Sequence, residues 1–253
     1  MDRSRLFDHE YETVLADTDE AKRIHHRIRY QVFCEETGFE DEHAFPGDEE
    51  FDQWDHHAVP FIVRARRTRE WVATLRLILP RASLPSEQLC MLDRGAVAKI
   101  KPFEVAELSR LCVLPSFRNR RQEGVRASVD LARKRQRESE ITLGLLRGAS
   151  AYSRERQIRY WYVLTTSAVA RLMSRLHLPL HPIGAGIEHR GRRFPFLAHV
   201  EKSRARAERV SPEFARLFSH PTPYTRYSAI SGERPEPAWG ETGELELELD
   251  RIA

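Results

Sequence analysis

Five short apolar runs, each long enough for only one β-strand, constrain this 253-residue chain more than any other feature. They are AVPFIVRAR (58–66), WVATLRLIL (71–79), FEVAELSRLCVL (103–114), YWYVLTT (160–166) and RFPFLAHV (193–200). β-Branched and aromatic side chains dominate them, as suits a pleated and largely buried surface. The polar RTRE between the first two reads as a hairpin turn, and Pro80, Pro85 and Pro115 break the chain further on. YETVLA (11–16) offers a further short first strand.

Between these runs the apolar period changes from two to 3.6. Asp17, Thr18 and Asp19 are N-cap candidates for a helix running to about Cys34, with Ala21, Ile24, Ile28 and Val32 at helical spacing. Helical segments are expected after the basic stretch FRNRRQEGVR, to about residue 156. Val169, Leu172, Met173 and Leu176 mark a short amphipathic helix, and 203–218 a last one. Residues 35–57 are polar and acidic and read as a long loop, a length usually kept for function. The order predicts an α/β fold, a mixed central sheet flanked by helices, in one domain over 1–220. The Pro/Glu-rich stretch 221–253 reads as a loosely ordered tail.

Composition excludes several classes. With 41% hydrophobic and 31% charged residues the chain reads as soluble, and no apolar run is long enough for an integral membrane segment. MDRSRLFDHEYE lacks the apolar stretch of a secretory signal, and Cys34, Cys90 and Cys112 are widely spaced, so a cytoplasmic location is expected. The net charge of +3 is uneven: seven acids against two arginines from Ser231 onward leave the body at +8. Such a body suits an acidic carrier protein, a phosphate-bearing cofactor, peripheral contact with an anionic membrane, or nucleic acid. Helix-turn-helix, RNP and zinc-finger patterns are missing, so no nucleic-acid partner is expected, although Arg-rich 117–137 keeps that as an alternative. There is no GxGxxG after a strand, no P-loop and no GxSxG. The histidines lack HExxH spacing or cysteine partners, and no metal is expected.

Chemistry concentrates in four segments. Glu107-Leu108-Ser109-Arg110-Leu111 places a carboxylate and a guanidinium inside an apolar strand, expensive unless both are paired. In a regular strand residues three apart face opposite sides, so Glu107 and Arg110 meet only across a bulge; an edge strand with one wet face is the other reading. Arg29 and Phe33 lie one turn apart, with Phe39 beyond. Asp52 and Asp55 flank Trp54 in the polar loop, and Arg76 stands alone in WVATLRLIL.

Together these segments resemble the acyl-homoserine-lactone synthases, whose pattern is Arg and Phe four apart, an aromatic, an aspartate pair, an Arg-containing strand and E-x-S-R-[FL]. Phe39 stands where those synthases usually carry Trp. Downstream, Ala170-Arg171-Leu172, Pro182-Ile183-Gly184 and His189–Phe196 (HRGRRFPF) resemble the PEP-CTERM/exosortase system-associated acyltransferases, a relation shared with N-acyl amino acid synthases. The resemblance covers roughly residues 10–200 and implies a GNAT-like N-acyltransferase. It would move a fatty acyl group from acyl carrier protein or acyl-coenzyme A to a small amine such as an amino acid. A non-catalytic binding module of the same fold is the alternative.

By the same resemblance, Glu107, Arg110 and Ser109 are the expected catalytic residues. Arg29, Phe33, Phe39, Asp52, Asp55 and Arg76 are expected to bind the acceptor. Leu111, Val113, Arg118, Arg120, Arg121, Val163 and Thr165 are expected to bind the acyl donor. In the loop that usually reads [RQ]-x-x-G-x-[GA], residues 121–126 end in Arg126 rather than a small residue. Glu107, directly or through one water, would take the ammonium proton, and N–H groups freed by a bulge near Leu111–Val113 would polarise the thioester. An apolar tunnel is expected to end beside Glu107.

Overall fold

The first hairpin forms from two near-continuous apolar runs: β2 (Ala58–Ala65) pairs antiparallel with β3 (Trp71–Ile78), and almost every residue of both is buried. Burial on both faces requires a helical layer on each side. The computed structural model describes residues 5–80, 83–118 and 128–236. One face of the sheet is covered by the long helix α5 (Ser128–Glu155), the other by α2 (Asp19–Tyr30). Around them lie α1 (Arg5–Glu10), β1 (Tyr11–Leu15), α3 (Pro85–Leu89), α4 (Arg94–Val97), β4 (Val105–Val113), β5 (Tyr160–Thr165), α6 (Ser167–Arg175), β6 (His181–Pro182), β7 (Ile187–Glu188), β8 (Arg192–His199), α7 (Val200–Val210), α8 (Pro212–Phe218), β9 (Thr225–Arg226) and α9 (Tyr227–Ser231). The strand order is β6-β8-β5-β4-β3-β2-β1-β9, with β7 paired to β8.

The sequence expectations hold for the five main strands and for the mixed α/β class. Three differences have local causes. The expected helix over 203–218 is two helices, because Ser211 caps a new helix and Pro212 takes its first position. The helix starting at the Thr18 cap does not stop at Cys34 but widens into a π-turn over Gln31–Glu36, a form frequent at functional sites. Ordered packing also runs beyond residue 220. β9 adds in parallel to β1, Asp17 accepts from the N–H and hydroxyl of Ser228, and Lys22 pairs with Glu236. Residues 237–253 of the expected tail lie outside the described residues.

Two irregularities of β4 position the site. Its parallel pairing with β5 covers only Val105–Glu107 against Tyr160–Tyr162, although both strands continue, so they splay apart beyond Glu107. On its other side the register with β3 jumps from Arg76↔Ser109 to Thr74↔Cys112, setting Arg110 and Leu111 opposite Leu75 alone. This is a β-bulge, and Arg110 adopts φ 50° within it. A non-glycine residue there costs on the order of 1–3 kcal/mol and persists only if its side chain is firmly held.

Candidate active site

The splay opens a cavity of about 190 Å³. Leu108, Ser109, Arg110 and Leu111 form one wall and Val163, Leu164 and Thr165 the other. Leu146 of α5, Val169 and Met173 of α6, and Leu178 and Leu180 close it with apolar surface. Phe33, Arg190 and Arg193 also contribute to its lining.

Beside the bulge lies a buried ion network. Asp52 caps the 3₁₀ turn Gln53–His57 by accepting from the Trp54 N–H, while Asp55 accepts from the Asp52 N–H, a reciprocal box that fixes both carboxylates. Arg76 donates to both oxygens of Asp52 at 2.6 and 3.0 Å, and to Ser109 Oγ at 2.9 Å. Arg29, fully buried, donates to Glu50 at 2.5 Å and to Asp55 at 2.6 Å. Arg110 reaches Glu40, Glu50 and Asp52 at 2.9, 3.0 and 3.1 Å, with its guanidinium over the Phe33 ring. The bulge makes this possible, since it lets Ser109 meet Arg76 while the next residue, Arg110, reaches Asp52. Burial alone would raise the Glu50 carboxyl, but Arg29 and Arg110 overcome it and hold Glu50 down at about 2. Asp55 is likewise held far below the usual range by Arg29 and Arg76.

His25, on the buried stripe of α2, completes the network. Its Nδ1 meets Thr74 Oγ1 at 2.5 Å, Thr74 donates on to the Phe61 carbonyl, and Nε2 accepts from Arg29 at 3.0 Å. Those partners assign a neutral ring with the proton on Nδ1, and burial keeps its pKa well below the ordinary value. His25, His26 and Asp55 come close enough to resemble a metal cluster. However, the Asp55 oxygen already accepts from Arg29 and Arg76, and His25 Nε2 from Arg29, so the ligand positions face guanidinium groups.

Glu107 is apart from all of this. It is buried, its Oε2 accepts from the Ser86 N–H at 2.8 Å, and it does not line the cavity. The expected tunnel end beside Glu107 is therefore displaced along β4, because the strands separate only after that residue. Arg110 does not meet Glu107 either; the bulge turns it to Glu40, Glu50 and Asp52. Burial pushes the Glu107 carboxyl up to about 7, against the opposing Ser86 N–H and Arg76.

A stability difference is expected from that shift. The native carboxyl keeps its proton to about pH 7, whereas an unfolded glutamate loses it near 4.5. The native state thus binds more protons in that window, and the contribution is full below 4.5 and fades as pH rises through 7. His26, whose pKa burial lowers to about 4, works in the opposite sense, losing stability as pH falls below its ordinary value. The difference between the native protein and Glu107→Gln isolates the carboxyl. It is expected to favour the native residue by about 3 kcal/mol more at pH 4.5 than at pH 8, at roughly 1.4 kcal/mol per pKa unit. Urea titrations at the two pH values measure it, and a pH-independent difference would show that the carboxyl is solvated.

The other expected residues divide. Phe33, Ser109, Arg110, Leu111, Val163 and Thr165 line the cavity. Arg29, Asp52, Asp55 and Arg76 form the network behind. Phe39 is half exposed, under the Arg193 guanidinium. Val113 shares the core-facing side of β4 with Leu111 but lies beyond the cavity lining, and Arg118 pairs with Glu36. Arg120, Arg121 and Arg126 lie outside the described residues. Glu40, Glu50, His25, Arg190 and Arg193 were not expected. Three of them carried a signal: His25 in its spacing of four from Ala21 and Arg29, and Arg190 and Arg193 in their place within HRGRRFPF.

A sequence model of the acetyltransferase (GNAT) domain matches residues 28–126, the stretch that carries most of the network and the bulged strand. The fold is GNAT-like. Solved structures agree along most of the chain. TofI in a ternary complex with an inhibitor and MTA is 21% identical, over 80% of this chain and 99% of that one, with a TM-score of 0.53. The CoA-dependent acyl-homoserine lactone synthase BjaI, with MTA, is 13% identical over 90% and 95%, at 0.56. FeeM, an N-acyl amino acid synthase from uncultured soil microbes, is 14% identical over 79% and 98%, at 0.53. No curated protein sequence matches the chain. At these identities the likeness to the GNAT-like structures is one of fold, and function must be argued from the site.

Proposed function

We propose that the protein is an N-acyltransferase that moves a fatty acyl group from a thioester, on acyl carrier protein or coenzyme A, to a small amine. The observation that carries this reading is the apolar wedge between β4 and β5, bounded at one wall by the bulge at Arg110–Leu111. An acyl chain enters the wedge, and the thioester carbonyl rests against the bulge, whose backbone has left the regular ladder. The ion network holds that strained backbone in place and orients Phe33 over the site.

Amide formation requires the acceptor to lose a proton before it attacks. Glu50 and Asp55 are too acidic to take it, being held down by arginines. Glu107, raised to about 7, is matched to that step. Lying one position below the splay, it acts through a water rather than by direct contact. One ammonium proton passes through the water to Glu107; the neutral nitrogen then bonds to the acyl carbon, the carbon–sulfur bond breaks, and the thiolate takes the nitrogen's second proton and leaves as a thiol. The downstream likeness over 160–201 supports a place among the PEP-CTERM/exosortase system-associated acyltransferases. Among the described residues no helix is long and apolar enough to cross a membrane.

An engineered cavity of about 150 Å³ holds benzene, so by proportion this one accommodates roughly seven or eight chain carbons. Val163→Phe narrows it at an overpacking cost of about 1–3 kcal/mol. Thiol release from octanoyl and butanoyl thioesters, given a mixture of amines, tests the reading. The variant is expected to lose octanoyl transfer about tenfold or more, roughly the worth of two methylenes, while butanoyl transfer persists. No thiol release from either thioester by the native protein, on coenzyme A or on carrier protein, would reject acyl transfer.

A further inference from the structure

Five guanidinium groups gather at the cavity and behind it, those of Arg29, Arg76, Arg110, Arg190 and Arg193. They face four carboxylates, Glu40, Glu50, Asp52 and Asp55. Four of the arginines are matched: Arg29 to Glu50 and Asp55, Arg76 to Asp52 and Asp55, Arg110 to Glu40, Glu50 and Asp52, and Arg190 to Glu40 at 2.5 Å. Arg193 is the remainder. Among the described residues it makes no ion pair, and its buried Nε has no hydrogen-bond partner. Its guanidinium sits 5.8 Å from the Phe39 ring centroid, and the residue lines the same cavity as the bulge.

Burial together with Arg190 and Arg110 makes this position unfavourable for a cation, and lowers the Arg193 pKa. A partly desolvated guanidinium with like charges beside it and an unused donor is a site completed by an anion. Position decides which anion. The phosphate of a phosphopantetheine donor is separated from its thioester by the whole pantetheine arm. Arg193 shares its cavity with Ser109–Leu111, where the reacting carbonyl rests. An anion so close to the reaction centre belongs to the acceptor.

We propose that Arg193 is the group that receives the acceptor's carboxylate, and so the residue that selects an amino-acid-like acceptor over a simple amine. This rests on the acyl-transfer reading above. Arg190, fixed to Glu40 at the tip of the β7–β8 hairpin, supplies a second positive charge but no free geometry. Phe39 provides the flat surface that keeps the Arg193 guanidinium aimed.

The test uses product analogues, so that it needs no turnover. Binding of N-octanoylglycine and its uncharged isostere N-octanoylglycinamide to the full chain is measured by titration calorimetry, for the native protein and for Arg193→Met. The native protein is expected to prefer the acid by roughly tenfold or more, the worth of a charged hydrogen bond. That preference is expected to fall below about twofold in Arg193→Met and to be partly kept in Arg193→Lys. Comparing the two ligands on the native protein does not depend on how well any variant folds. Equal binding of acid and amide would overturn the carboxylate site while leaving acyl transfer intact. Binding of neither would remove the acyl reading and this inference together. If Arg193→Met weakened 4′-phosphopantetheine instead of N-octanoylglycine, Arg193 would serve the donor, and the proposal would be wrong.

Discussion

Arg29→Met is expected to destabilise the fold by about 3–5 kcal/mol, the usual cost of breaking a buried ion pair by removing one partner. Arg29 has no exposed surface, and its guanidinium spans Glu50, Asp55 and His25. Methionine fills a similar volume, so little of the loss is cavity formation. What remains is charge: Glu50, 1% exposed, keeps only Arg110, and Asp55 keeps Arg76. Adding Glu50→Gln should recover part of the loss, because the stranded carboxylate is then gone, and the two changes should be clearly non-additive. Chemical denaturation of the native protein, both single variants and the double variant measures this cycle. A loss below about 1 kcal/mol for Arg29→Met would mean that the network is solvated, as exposed pairs are, and could not hold the bulge.

Glu107→Gln is expected to lower turnover by about 10²–10⁴, the range for removing a general base. Glutamine keeps an oxygen for the Ser86 N–H, so the local fold survives the exchange. The native rate should rise with pH and level off above about 7, since the carboxyl works only when ionised. The residual rate of the variant should lack that inflection. Initial rates of thiol release between pH 5.5 and 8.5 decide it. A loss smaller than threefold, or an unchanged inflection, would place the base elsewhere.

Much of the architecture could be read from periodicity, because β2, β3, β4 and β5 are short, β-rich and separated by clear breakers. Arg76, Glu107 and Arg110 stood out because charge inside an apolar strand demands a partner. Two of the partners of Arg110 were hidden. Glu40 and Glu50 lie in a loop crowded with other acids, Asp41, Glu42, Asp48 and Glu49 among them, and only the folded path selects two. His25 and Arg29 fall on the same stripe as Ala21 and Ile28, but polar residues on a helix are ordinarily assigned to its wet face. The pairing of Glu107 with Arg110 failed for a geometric reason. A bulge was needed for them to meet, and the bulge that forms serves Asp52 instead. The tail was judged from composition, which says nothing of the edge that β1 offers to Thr225–Arg226.

Mass spectrometry of lipid extracts tests the central claim most directly, comparing cells that express the protein with cells that express Glu107→Gln. The splayed strands and raised carboxyl predict a new acylated amine in the first extract that is missing from the second. Extracts identical to each other and to those of cells without the protein would contradict acyl transfer at this site.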